Sequence, residues 1–201
     1  MFMTKKLHLG CGRTILEGWI NLDIAPVDGV DVTADLNQCK EKPLPFDDNS
    51  IDEFFASHLL EHIQQPLNLM EELHRIAKPN ATMICHVPYG SSDDAFEDPT
   101  HVQQFFLNSF AYYSQPIYWR ADYGYKGDWQ IEKISLVVDM EIYKGKTAKA
   151  ILHDVHKYRN VVIEMIVKLK AVKPIREANR DKATNFPIEI QLTSIHSPKK
   201  L

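Results

Sequence analysis

Residues 56–63 read ASHLLEHI and contain His58-Leu59-Leu60-Glu61-His62, two imidazoles four positions apart with a carboxylate beside the second. On a helix this spacing sets both rings on one face, where they could hold zinc for a hydrolysis. Two protein ligands are too few, because a catalytic zinc takes three and keeps one position open. Glu71 or Glu72 could supply a third, but Pro66 interrupts the chain between them and the histidines. His58 also follows directly on the apolar run IDEFFAS, where a loop at a strand end is expected. Three readings stand: a ligand-pocket loop, histidines capping a short helix, or a metal site. The first is adopted, and no metal ligand is assigned.

A second constellation begins at LHLGCG, where Gly10 and Gly12 follow a short apolar run. Glycine there lets the chain turn sharply and lets a ligand approach without a Cβ in the way. Thirteen residues after Gly10, Asp23 ends the next run, and a carboxylate in that place can accept both hydroxyls of a ribose. Asp35 ends a third run and is placed to meet an adenine amino group. Either aspartate alone could equally be a turn-former or a cap.

A third lies in residues 96–129, which hold 11 of the chain's 20 aromatic residues. Some of these rings suit a satellite core under a long loop, and others a lid over a substrate. Within the stretch, EDPTHVQQFF sets His101 behind a rigid DPT turn, as a base or a partner for a substrate hydroxyl. His62 could face the same cavity. Asp93 and Asp94 are weaker candidates, since SSDD is also ordinary loop chemistry.

These residues need a frame. KKLHLG (5–10), WINLDI (19–24), VDVTADL (30–36), IDEFFAS (51–57) and TMICHVP (82–88) read as strands. Pro66, Leu67, Met70, Leu73 and Ala77 mark a helix, which KPN (78–80) ends, with Asn80 able to take a left-handed cap. Residues 129–144 hold a long strand, 146–160 a helix, and 188–195 a closing strand; 161–172 fits helix or strand. Alternating strands and helices predict an α/β fold: a Rossmann-like, doubly wound, mostly parallel sheet of about seven strands with an antiparallel edge strand. One strain is visible. About ten residues join the first two strands and fewer the next two, whereas parallel crossovers usually take a dozen or more.

The 201 residues, 44% hydrophobic and 25% charged, suit one domain spanning 1–201. Within it, 5–90 would bind a cofactor, 91–129 form an aromatic substrate loop, and 130–201 complete the sheet. A net charge of −4 without a basic block disfavours nucleic acid as a partner. Cys11, Cys39 and Cys85 are odd in number and widely spaced, as reduced thiols in a cytoplasmic protein are. No apolar stretch is long enough for a membrane span, and MFMTKKLHLGCG is not built like a secretory signal. The few residues before the first strand are not expected to form an N-terminal helical lid. The ending SPKKL reads as a solvated tail.

With its segments in this order, the sequence resembles the class I S-adenosylmethionine-dependent methyltransferases, in particular their small bacterial-type members. The resemblance runs through LHLGCG, GWINLDI, ADL, LPFDDNSIDEFFASHLLEHI and EELHRIAKPNATMICHVP, roughly residues 5–90, and more weakly through EDPTHVQQFFLNSF. It implies S-adenosylmethionine as cofactor. Leu9, Gly10, Cys11 and Gly12 would then line its methionine part, and Asp23 would hold the ribose. Ile24 would pack on adenine, Asp35 and Leu36 read its edge, and Ser57 and His58 flank the sulfonium. The sequence departs from the family at His8, where many members carry an acid, at Thr14 for a glycine, and at the turn K-P-N-A. The expected activity is methyl transfer to oxygen or nitrogen of a small-molecule acceptor, with His101, His58 and His62 as candidate catalytic residues. A cofactor-binding protein without turnover and a zinc hydrolase are the rivals.

Overall fold

The short first crossovers are held by side chains instead of helices. The computed structural model describes residues 4–121, 123–179 and 186–194. β1 (Lys6–Leu9), β2 (Ile20–Asp23) and β3 (Val32–Thr33) run parallel as neighbours, joined by loops. Buried Asn21 ties the first loop down: its side chain accepts from Leu16 N–H (2.9 Å) and donates to the Leu16 and Trp19 carbonyls (3.1 and 3.2 Å). Its own N–H donates to the Asp31 carboxylate at 2.7 Å, which anchors the second loop. A polar side chain with every group bonded can thus replace a covering helix.

The sheet continues through β4 (Ile51–Ser57), β5 (Ala77–Pro88), β6 (Trp129–Asp139), β7 (Val162–Ala171) and β8 (Ile188–Thr193). The spatial order is β3-β2-β1-β4-β5-β7-β6-β8. The α/β, mostly parallel sheet is as expected, with eight strands where about seven were read. One detail differs: the antiparallel strand is interior, with β7 between β5 and β6, while the edge strand β8 is parallel to β6. The physical reason is in the side chains. Val162, Met165, Val167, Leu169 and Ala171 are buried, as an inner strand requires, whereas IEIQLT is mostly exposed and can stand at an edge. The segment 161–172, ambiguous in sequence, is therefore strand.

Helix α1 (Pro66–Ile76) starts on proline and buries Leu69, Met70, Leu73 and Ile76 against the sheet. Each such side chain contributes about 1.5–3 kcal/mol by leaving water. α1 also meets Trp129, whose indole N–H donates to the Met70 carbonyl at 2.9 Å and whose ring meets Phe54 edge-on at 5.8 Å. The helix passes into β5 without a loop. Asn80 does adopt positive φ (+67°), but as part of an irregularity inside β5, not as a helix cap. The helix expected over 146–160 spans Ala148–Val155.

The aromatic segment takes the place of a further covering helix. Phe105, Phe110, Tyr113, Tyr118 and Tyr125 are buried in a chain of ring contacts, and Lys126 N–H donates to Glu71 of α1 at 2.7 Å. Phe96, Phe106, Tyr112, Trp119 and Tyr123 stay exposed. Half of the stretch is therefore core, as the plainer of its two readings has it. Among the described residues no helix is long and apolar enough to cross a membrane. The ending SPKKL lies outside the described residues.

Candidate functional site

At the carboxyl ends of β1 and β2, the glycine loop and the first acid meet. Gly12 N–H donates to Asp23 Oδ2 at 2.7 Å, and Ala25 N–H to Oδ1 at 3.0 Å. Both glycines have positive φ, +60° at Gly10 and +53° at Gly12. A Cβ on Gly10 would come within 2.7 Å of Leu59 Cδ1, whereas around Gly12 the space is open. Asp35 does not end β3 as expected; it lies two residues beyond that short strand. Its Oδ1 accepts from Asn37 N–H at 2.9 Å and caps a single helical turn.

A crevice of about 150 Å³ joins these groups, lined by Gly10, Asp23, Ile24, Asp35, Leu36 and His62, with Ala34, Asn37, Leu59 and Ile63 completing its walls. Ile24 is 64% exposed, an apolar side chain left free to cover a flat ring. Leu9 and Cys11 turn their side chains into the core, so their share in any ligand contact is main chain. Ser57 ends β4 and His58 follows it, and neither lines the crevice.

His58 has a different task. It holds positive φ (+50°), a strained conformation for a residue with a Cβ. Its Nε2 meets Glu164 Oε1 of β7 at 3.0 Å, and His86 Nδ1 meets Glu164 Oε2 at 3.2 Å. The hydrogen bond to Glu164, reinforced by Glu61, pushes the His58 pKa up to about 10. Glu164 is held down to about 2, chiefly by His58 and then His86. A ring protonated at neutral pH carries a positive charge and has no free lone pair to take a proton.

The pair should appear in stability against pH. A histidine raised above its ordinary 6.5 stabilises the fold fully below that pH and loses the effect as pH rises toward about 10. A glutamate lowered from 4.5 stabilises above that pH and loses the effect as pH falls toward about 2. The melting temperature is thus expected to decline on both sides of a plateau between those ordinary values, and Glu164→Gln to flatten the alkaline decline. An unchanged alkaline slope in that variant would show that the pair does not govern it.

The other histidines do converge. His62 and His101 rings pack edge-on, 4.7 Å apart, although 39 residues separate them in the chain. Val102 and Gln103 N–H groups bond the Glu61 carbonyl at 2.8 and 3.1 Å and strap the loop down. Glu71 and Glu72, the third ligands considered from sequence, are committed elsewhere: Glu71 to Lys126, Glu72 to Leu44 N–H and Arg75. Asp93 is tied to Arg159 and Asn160, and Asp94 is exposed at the start of a one-turn helix. Neither acid lines the crevice.

Residues 7–85 match the family model of the methyltransferase domain. Over that part of its length the chain is similar to the class I S-adenosylmethionine-dependent methyltransferases. The cofactor of this methyltransferase is S-adenosylmethionine. Its fold is similar to that of a SAM dependent methyltransferase from Archaeoglobus fulgidus, with a TM-score of 0.55 and 16% identity over 83% of this chain and 86% of that one. It is also similar to the YcgJ protein from Bacillus subtilis, with a TM-score of 0.50 and 14% identity over 84% and 92%. At these identities the likeness is one of fold. No curated protein matches the chain in sequence.

The methyltransferase crevice fits the nucleoside half of that cofactor: two carboxylates, an exposed Ile24, and open space at Gly12. His8, which stands where many family members have an acid, is 2% exposed and bonded to Asn21 at 3.2 Å. Burial lowers its pKa, so it offers no charge to the methionine ammonium. A hollow of about 800 Å³ runs alongside α1 past Lys40, Glu71, Arg75 and Lys126 and touches neither Gly10 nor Gly12, nor Asp23 or Asp35.

Proposed function

We propose that this methyltransferase places a small acceptor beside the crevice and methylates it at oxygen or nitrogen. The observation that carries the reading is the meeting of Gly10, Asp23 and Asp35 on one crevice at the carboxyl ends of the strands, where open α/β sheets bind ligands. S-adenosylmethionine supplies a methyl group already activated by a positive sulfonium. The chain's own residues hold and align: Asp23 offers its remaining lone pairs to the ribose, and Ile24 shields the base. Alignment alone supplies on the order of 7 kcal/mol in good intramolecular cases. Acceptor size is suggested by a second hollow of about 390 Å³ at the start of α1, lined by Phe105, Tyr112, Tyr113, Tyr118 and Arg120 among others. That volume is in the range of small-molecule sites, and its aromatic walls suit a partly apolar acceptor. Buried free Cys11, Cys39 and Cys85 agree with a reducing, cytoplasmic setting.

Calorimetry with S-adenosylhomocysteine is expected to show micromolar binding, and radiolabelled methyl groups should pass into a small-molecule extract. Binding without transfer would favour the second reading, a cofactor-holding protein without turnover, to which the uncharged His8 lends support. Absence of binding would remove both.

A further inference from the structure

Glu61 is 1% exposed, and neither of its carboxylate oxygens accepts a hydrogen bond among the described residues. A buried carboxylate without partners is costly, and such groups are paired or coordinate metals. The nearest positive group is His58, whose Nδ1 lies 3.3 Å from Oε1, an ion-pair contact without hydrogen-bond alignment. That ring is already committed to Glu164 through its other nitrogen.

One oxygen of Glu61 and one nitrogen each of His62 and His101 lie within 4.8 Å of one another. Ligand atoms about a tetrahedral zinc sit roughly 3.4 Å apart, so side-chain rotations of about an ångström close the triad. The tautomers suit this. Thr100 gives its only hydroxyl proton to Asp98 at 2.6 Å, so its contact with His62 Nδ1 at 3.0 Å makes that nitrogen the donor. His101 Nδ1 faces the Ala95 carbonyl at 3.4 Å, and a carbonyl only accepts. Both rings therefore turn Nδ1 to an acceptor and leave Nε2 as the nitrogen to face an ion, the arrangement that orients metal-ligating histidines, with His101 Nε2 also 3.9 Å from Asp98 Oδ2. His62 also lines the crevice that holds Asp23 and Asp35, so the triad stands at its edge.

We propose that Glu61, His62 and His101 bind one first-row divalent transition-metal ion, whose open positions take an oxygen of the methyl acceptor. Two imidazoles and one carboxylate suit zinc, iron or cobalt better than magnesium or calcium. With three protein ligands the ion keeps positions open, and there it holds an acceptor hydroxyl and favours its ionised form. The acceptor half rests on the methyl-transfer reading; the metal half stands without it.

The test uses the full chain, freed of metal by a chelator and titrated with Co²⁺, read by its visible absorption. One saturable equivalent is expected in the wild type. Glu61→Gln and His101→Ala should each weaken binding by roughly tenfold or more. His153→Ala, on the exposed face of the helix Ala148–Val155, combined with His156→Ala, on the exposed residue after it, should change nothing. No saturable binding, binding unaffected by Glu61→Gln, or binding lost with the exposed histidines would overturn the site. Folding is read separately. Metal-free Glu61→Gln loses the contact with His58 and is expected to melt somewhat below the wild type, and it should lack the upward shift Co²⁺ gives the wild type; an equal Co²⁺ shift in both would overturn the proposal. Acetohydroxamate, a bidentate oxygen ligand, should shift the cobalt bands, and no shift would overturn the acceptor half. Calorimetry with S-adenosylhomocysteine on the same samples tests the methyl-donor reading: its failure beside intact cobalt binding would remove that reading and the acceptor half while the metal site stands.

Discussion

Asp23→Ala is expected to weaken binding of S-adenosylmethionine and of its demethylated product by roughly 30- to 1000-fold. Two charge-assisted hydrogen bonds to the ribose would be lost, which amounts to about 2–4 kcal/mol. The geometry adds a second contribution. Asp23 accepts from Gly12 and Ala25 N–H groups, so the carboxylate also fixes the loop that approaches the ligand. Asp23→Asn separates the two effects. The amide keeps one oxygen for the loop and loses the charge, so an intermediate affinity is expected. Calorimetry measures both variants, and an unchanged dissociation constant in Asp23→Ala would take the residue out of the site.

Local signals in the sequence carried most of the cofactor half. LHLGCG, Asp23 and Asp35 were legible because a glycine turn and strand-end acids are set by neighbours close in the chain, and they do meet on one crevice. Where partners are distant, they were not legible. Asp35 was placed one element too early because two-residue β3 is too short to show alternation. The partner of His58, Glu164, is 106 residues away on β7, the strand whose pattern fitted helix equally well. Glu61 was passed over as the middle of a histidine motif. Its burial depends on the strap at Val102 and Gln103, and the one local hint was a carboxylate inside the apolar run ASHLLEHI. The aromatic stretch divided between core and surface because composition says how many rings there are and not which way each faces.

A contact no motif announces should carry the largest effect on stability. Asp128 is fully buried and receives both arms of the Arg176 guanidinium, at 2.7 and 2.8 Å, with Gln115 and Arg176 N–H groups at 3.1 and 3.0 Å. Arg176 also reaches Gln130 and Ser114, so one side chain fastens the segment after β7 to the start of β6 and to the aromatic segment. Arg176→Ala would leave the carboxylate buried without its counter-charge, a loss of about 3–5 kcal/mol. In a chain of this size that lowers the melting temperature by roughly 10 °C. Adding Asp128→Asn to Arg176→Ala should restore part of the loss, because the unpaired charge goes, and a double-mutant cycle measures the coupling. Affinity for S-adenosylhomocysteine should hold in both variants at temperatures where they are folded. Asp128 precedes the amino end of β6, while the crevice lies at the carboxyl ends of β1 and β2, so the pair acts on the frame and not on the ligand. A loss below about 1 kcal/mol in Arg176→Ala would mean that water replaces the guanidinium, as at an exposed ion pair.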